Sequence, residues 1–352
     1  MTYNFIINLI YAKMENIEGL EKKHGGPDRI IGVDNKIEAY LKLVEAEKVL
    51  KNQELTVFER EKTPEEMEII YEVFERLPDF IREYGADQKR FISSKQVHIL
   101  DETSPHTKGI RSFLERDTPG RYSPSSGRIE ILPEGLSYVR LAHVLVHELM
   151  HVNSFFSITS KKDGEGTEQS LRASFRRFGV SVNEKGKTEE SLFNFINEAV
   201  TEELTKRFCE KYFQDIRLLR DSFIALKDKK KQVEFLDSPT FSVLGELLDP
   251  QSLYSYTNER AGFASLVELL YEKNKNEFDS YEDVFKLFSQ AMFKGHLLPI
   301  ARLIEKTFGK GSFRTIGQKT KDESPSVVDT LSSLYADSSP EPKDKSKQEK
   351  PV

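Results

Sequence analysis

Val146-His147-Glu148-Leu149-Met150-His151 is His-Glu-x-x-His set inside an apolar run that begins near Leu136. Leu141, Val144, Leu145 and Leu149 recur at helical spacing, so the run reads as a buried helix. Residues four apart stack on one helix face, which points His147 and His151 the same way, about one turn apart. Two imidazoles on that spacing can share a tetrahedral zinc. Glu148, next to the first ligand, is placed to reach a metal-bound water rather than the metal.

Zinc needs a further protein ligand, and Asn197-Glu198-Ala199-Val200-Thr201-Glu202 offers one. It lies in a second helical stretch that the pattern places from about Glu189 to Phe213. Glu198 and Glu202 are again four apart and share a face. One can ligate the metal while the other holds a ligand histidine by its free ring N–H.

Taken together, His-Glu-x-x-His and a downstream Asn-Glu-x-x-(Ser/Thr)-(Asp/Glu) resemble the gluzincin metallopeptidases, of which thermolysin is the familiar member. The resemblance implies that Glu198 is the third zinc ligand and that Glu202 orients His147. It departs in spacing: His151 and Glu198 are 47 residues apart. That is longer than in thermolysin and closer to the catalytic domain of anthrax lethal factor. The similarity extends over residues 95–310 at most, and its specific part is confined to the two helices. Gluzincins use a Tyr or His, sometimes with an Arg, beyond the third ligand to donate to the developing oxyanion. Tyr256 or Tyr254, together with Arg260, stand in that part of the chain, and His296 is a rival.

Composition sets outer limits. The 352 residues carry a formal net charge of −6, which gives no electrostatic case for a nucleic-acid partner. The single cysteine, Cys209, rules out an intramolecular disulfide framework and suits a reducing compartment; it reads as a buried small residue. No run reaches the roughly 18–20 apolar residues of a membrane span. Asn4–Tyr11 is apolar but lacks the charge and cleavage pattern of a signal peptide. The expected location is therefore cytoplasmic.

Along the chain, Ile37, Leu41, Val44 and Leu50 form a helical stripe over 34–62. Thr63-Pro64-Glu65-Glu66 reads as a capping box opening a helix that Pro78 ends or kinks. Val97–Leu100 and Arg128–Leu132 read as strands, the second offering an edge on which an extended peptide could align. His98 belongs on a strand surface, while His24 and His106 lie in loops. His143 is one turn before His147. Three histidines in a row along one helix span about 12 Å and cannot all reach one zinc, so His143 is assigned to packing or to supporting a ligand. Residues 156–187 are read as an insertion rimming the cleft, with a loop at Lys161–Gly166, a strand at Arg176–Val182 and solvated charge at Arg176-Arg177. Helices are expected after Tyr256, from Ser280 to Lys294, and from His296 to Gly309. From Gln318 the composition is that of a disordered tail.

The expectation is an α+β, mostly helical chain. An N-terminal helical region (1–90) precedes a zincin-like metallopeptidase domain (91–317) and a disordered tail (318–352). A small sheet lies beside the His-Glu-x-x-His helix. The expected activity is zinc-dependent hydrolysis of a peptide or protein substrate, with Zn2+ on His147, His151 and Glu198 and Glu148 as general base. An endopeptidase is favoured, because no amine-binding element precedes the zinc helix. The alternative is a non-proteolytic scaffold or sensor with structural zinc, which would have no need of Glu148. The sequence leaves the oligomeric state open.

Overall fold

Thr63 starts the first described helix as its sequence requires. Its hydroxyl accepts the backbone N–H of Glu66 at 3.2 Å, and the Glu66 carboxylate accepts the Thr63 N–H at 2.8 Å. The computed structural model describes residues 28–31, 59–86, 90, 92–101, 119–124, 127–133, 135–163, 170–183, 191–230 and 253–318. The architecture is mixed α+β and mostly helical, with two small sheets among the described residues.

The capped helix, α1 (Pro64–Glu83), continues past Pro78 instead of ending there. An interior proline costs roughly 3 kcal/mol. Here Leu77, Phe80 and Ile81 around it are buried in the core, and that packing keeps the last turn helical. The helical stripe expected over 34–62 falls outside the described residues except at its end. There Glu59–Arg60 is a short strand, β2, following β1 (Arg29–Ile31). The segments holding His24 and His106, and the tail from residue 319, also lie outside the described residues.

One sheet has the order β2-β3-β5-β4, with β3 at Val97–Leu100, β4 at Gly120–Ser123 and β5 at Arg128–Ile131. β3 and β5 are parallel, and β4 is antiparallel to β5. Val97, Ile99, Ile129 and Ile131 are fully buried on one face, as period-two alternation demands. His98 and Glu130 pair across the other face, where His98 Nδ1 meets the Glu59 carboxylate at 2.7 Å. β5, expected at the edge, has a strand on each side. The outer strand is β4, whose Gly-Arg-Tyr-Ser sequence carries no alternation signal.

Helix α2 (Tyr138–Asn153) carries the His-Glu-x-x-His string and packs on β4 and β5. Ser137 caps it, accepting the Arg140 N–H at 3.3 Å. At its far end Arg90 donates to the carbonyls of Val152 and Ser154 and pairs with Asp28 at 2.6 Å; Asp28 also accepts the Phe156 N–H. The second sheet, β1-β6-β7-β8-β9, follows. It comprises β6 (Phe156–Asp163), β7 (Ser170–Phe178), β8 (Ser181–Asn183) and β9 (Ser191–Leu192), with β1 parallel to β6 and the rest antiparallel. Lys161–Asp163, expected in a loop, belong to β6. Arg177, expected in solvent, donates to the Gly295 and Gly179 carbonyls and lies 4.8 Å over the Phe155 ring. Burial pushes its guanidinium down to about 10. It ties the turn after β7 to the break between two later helices.

Those helices complete the layer: α3 (Asn194–Tyr212), α4 (Arg220–Lys230), α5 (Thr257–Lys273), α6 (Tyr281–Lys294), α7 (Leu297–Phe308) and α8 (Ser312–Gly317). α3 starts five residues later than expected, because Ser191–Leu192 joins the sheet. It packs against both α2 and α5. Buried residues of α1, α2, α3, α5, α6 and α7 form one continuous apolar core with β3 and β5. Among the described residues, no helix is long and apolar enough to cross a membrane.

Candidate metal centre

His147 and His151 leave α2 on one face, their ring centroids 4.9 Å apart, and α3 crosses in front of them. Oε2 of Glu198 lies 3.5 Å from Nε2 of His147 and 3.3 Å from Nε2 of His151. Tetrahedral zinc with bonds of about 2.0–2.1 Å sets its donor atoms about 3.3–3.4 Å apart. The two distances to Glu198 match that spacing, and the three donor atoms lie within 4.8 Å of one another, a group able to hold an ion.

The neighbouring carboxylate completes the support. Oε2 of Glu202 accepts Nδ1–H of His147 at 2.7 Å, which turns Nε2 of His147 toward Glu198. Oε1 of Glu202 meets Nε2 of His143 at 2.7 Å and accepts the backbone N–H of Ser255 at 2.6 Å. Asn197, first residue of the second string, serves the site in two ways. Its Oδ1 accepts the Val180 N–H at 3.2 Å, and its Nδ2 donates to Glu198 Oε1 at 3.3 Å. Gly179 has φ +56, and a β-carbon there would lie 2.2 Å from Asn197 Oδ1, so the β7–β8 turn and the helix that carries Asn197 and Glu198 meet only through a glycine.

Glu148 is buried, is not part of the ligand cluster, and accepts the backbone N–H of Tyr122 from β4. Burial raises its pKa, and the Glu198 charge adds to this; the charges of His147 and His151 offset only part. Burial also opposes ionisation of Glu198, yet the charges and hydrogen bonds of His151 and His147 hold its carboxyl far below the usual range. Glu202 is likewise held low, against burial, by His143 and His147. Burial disfavours a charged His147, but hydrogen bonds to Glu198 and Glu202 outweigh it and its pKa stands well above the usual histidine value.

Aromatic rings border the cluster. Tyr256 stacks on His147 at 5.5 Å and 13°, and Phe178 of β7 packs on His151 at 5.4 Å. Burial and the charges of Glu198 and Glu148 push the Tyr256 phenol upward, so it stays a proton donor. Tyr256 and Phe193 are the only non-glycine residues with positive φ among those described. Each stands immediately before one of the helices, α5 and α3, that bring side chains to the site.

The other candidates sit elsewhere. Arg260 is fully buried but is drawn to Glu203, 3.1 Å away, with its guanidinium 5.6 Å over the Tyr254 ring. Tyr254 packs behind the site, 5.9 Å from the His143 ring. His296 is exposed at the start of α7. Cys209 is buried, and burial raises its thiol well above the ordinary value. Sequence reasoning missed Tyr122, Phe178 and Ser255. Two of these act through backbone N–H groups, which no side-chain pattern announces. No family model matches this chain, and no curated protein or solved structure shows significant similarity to it.

Proposed function

We propose that this chain is a zinc-dependent peptidase of the gluzincin type, with a zincin-like catalytic fold, most simply an endopeptidase. One observation supports it above the others. Three donor atoms converge within 4.8 Å of one another while a fourth side chain, the acid Glu148, is buried beside them and kept out of the set. Two imidazoles and a carboxylate suit zinc among the common divalent metals. Zinc held by His147, His151 and Glu198 would supply Lewis acidity for a water and for the scissile carbonyl.

The chain's own groups do the rest. Glu148, its pKa raised by burial, takes the proton of the attacking water and returns it to the leaving amine. The Tyr122 N–H fixes its rotamer. Glu202 fixes the His147 tautomer. Tyr256, protonated and stacked on His147, donates its hydroxyl to the oxyanion; of the residues considered for that role, it alone borders the cluster. Peptide alignment is assigned to β4 rather than β5, since β4 is the outer strand and touches Glu148. A cytoplasmic, reducing setting belongs to this proposal, and the single cysteine is compatible with it.

The test is Glu148→Gln on the full chain, assayed on a broad peptide library with a chelator control. Zinc content should hold and activity should fall by about 10²–10⁴-fold. Equal chelator-sensitive activity in both proteins would remove Glu148 from the mechanism. Full zinc with no cleavage by wild type would favour the scaffold reading.

A further inference from the structure

Glu202 does more than orient one ligand. Its two oxygens have separate duties: Oε2 takes Nδ1–H of His147, while Oε1 takes both the Ser255 N–H and Nε2 of His143. Ser255 directly precedes Tyr256, whose ring lies on His147. Arg140, one turn before His143 in the next row of α2, grips the same segment through the Leu253 carbonyl and Ser255 Oγ. One carboxylate therefore joins three elements: the metal helix, the cross helix and the loop that delivers Tyr256.

A carboxylate pivoting on a long side chain holds such a position only if both oxygens are fixed. The Ser255 N–H restrains Oε1 from one side, and the other restraint is His143. Since Glu202 can only accept, His143 must carry its proton on Nε2. The remaining atom agrees with that tautomer: His143 Nδ1 is buried and has no hydrogen-bond partner, which a bare ring nitrogen tolerates better than an N–H. The ring is 2% exposed and faces Tyr254, so solvent does not supply a partner instead.

We propose that His143 is a positioning residue: through its Nε2–H it locks Glu202 in the rotamer that orients His147 and latches the Tyr256 loop to the metal helix. This rests on the metal reading of the site. It assigns the third histidine of α2 a task distinct from ligation, at the one position where a histidine one turn upstream meets the far oxygen of the same carboxylate.

The experiment measures the zinc dissociation constant of the full chain by competition with a chromophoric chelator. The proteins are wild type, His143→Leu, His143→Gln, Glu202→Gln and the His143→Leu/Glu202→Gln double variant. Loss of a group that supports a metal ligand typically weakens binding by about 10–100-fold, and His143→Leu should fall in that range. His143→Gln, which places an amide N–H near the Nε2 position, should recover most of it. In the Glu202→Gln background His143→Leu should add less than about twofold, because the two act as one unit. Wild-type zinc affinity in His143→Leu, no recovery in His143→Gln, or simple multiplication of the two single effects would each overturn the assignment. Nitrogen chemical shifts of the His143 ring in the metal-free chain give a check that survives a misfolded variant. They should report the Nε2–H tautomer, and an Nδ1–H ring would overturn the proposal. A wild-type chain that binds no zinc would instead end the metal reading, and this role with it.

Discussion

Gly120 of β4 lies against Glu148 of α2 so closely that a β-carbon on it would stand 3.1 Å from Oε1 of Glu148 and 2.4 Å from Cγ1 of Val144. The strand reaches Glu148 only because this residue has no side chain. Gly120→Ala should push β4 off α2 and carry the Tyr122 N–H away from the Glu148 carboxylate. Overpacking of this kind costs about 1–3 kcal/mol. On the proposed function, peptidase activity should fall while zinc content stays at wild type, since the three proposed ligands lie on α2 and α3. Thermal unfolding and a cleavage assay together check it; unchanged activity and unchanged unfolding would show that β4 yields freely.

Glu198 should behave as a ligand and Glu203 should not. The two are five residues apart on α3, yet Glu198 faces both histidines and Glu203 faces Arg207 and Arg260. Elemental analysis after dialysis should find about one zinc per chain in wild type and in Glu203→Gln, with little in Glu198→Ala. The assignment fails if Glu198→Ala keeps its metal.

Tyr256→Phe keeps the ring on His147 and removes only the hydroxyl. Losing one oxyanion donor typically costs about 10²–10³ in turnover. The loss should appear in kcat with KM and zinc content nearly unchanged. The same kcat in both proteins would transfer the role to another group.

The α1 cap should show a defined pH signature. Burial alone would raise the pKa of Glu66, but the Arg60 fork at 2.6 and 2.9 Å and the Thr63 N–H outweigh it, so the folded value lies below the ordinary one. A carboxyl with a lowered folded pKa contributes its full stability above the unfolded pKa and loses it as pH falls through the folded pKa. Glu66→Gln should therefore be less stable than wild type by about 1–2 kcal/mol at neutral pH. The gap should narrow as the medium is acidified through the carboxylate range. Urea unfolding across that range measures it, and a gap independent of pH would contradict the ion-pair account.

Several features were legible from the residues alone, and all of them are local. Helical periodicity placed His147 and His151 on one face, and Glu198 and Glu202 on another, because four residues make about one turn whatever surrounds the helix. The cap at Thr63 and the bounds of the helix from Ser280 to Lys294 were likewise readable, since each depends on atoms within a few positions. What lay beyond the sequence is every relationship between elements. The carboxylate of Glu202 divides its oxygens between His147 and His143 across intervals of 55 and 59 residues. Arg260 turns to Glu203, β4 takes the edge expected of β5, and α1 continues through Pro78 because core packing outweighs the local proline penalty. Local strings fix which way a side chain leaves its own backbone. Which partner it meets depends on how helices and strands pack, and that is settled by the burial of the whole apolar core rather than by neighbours in the chain.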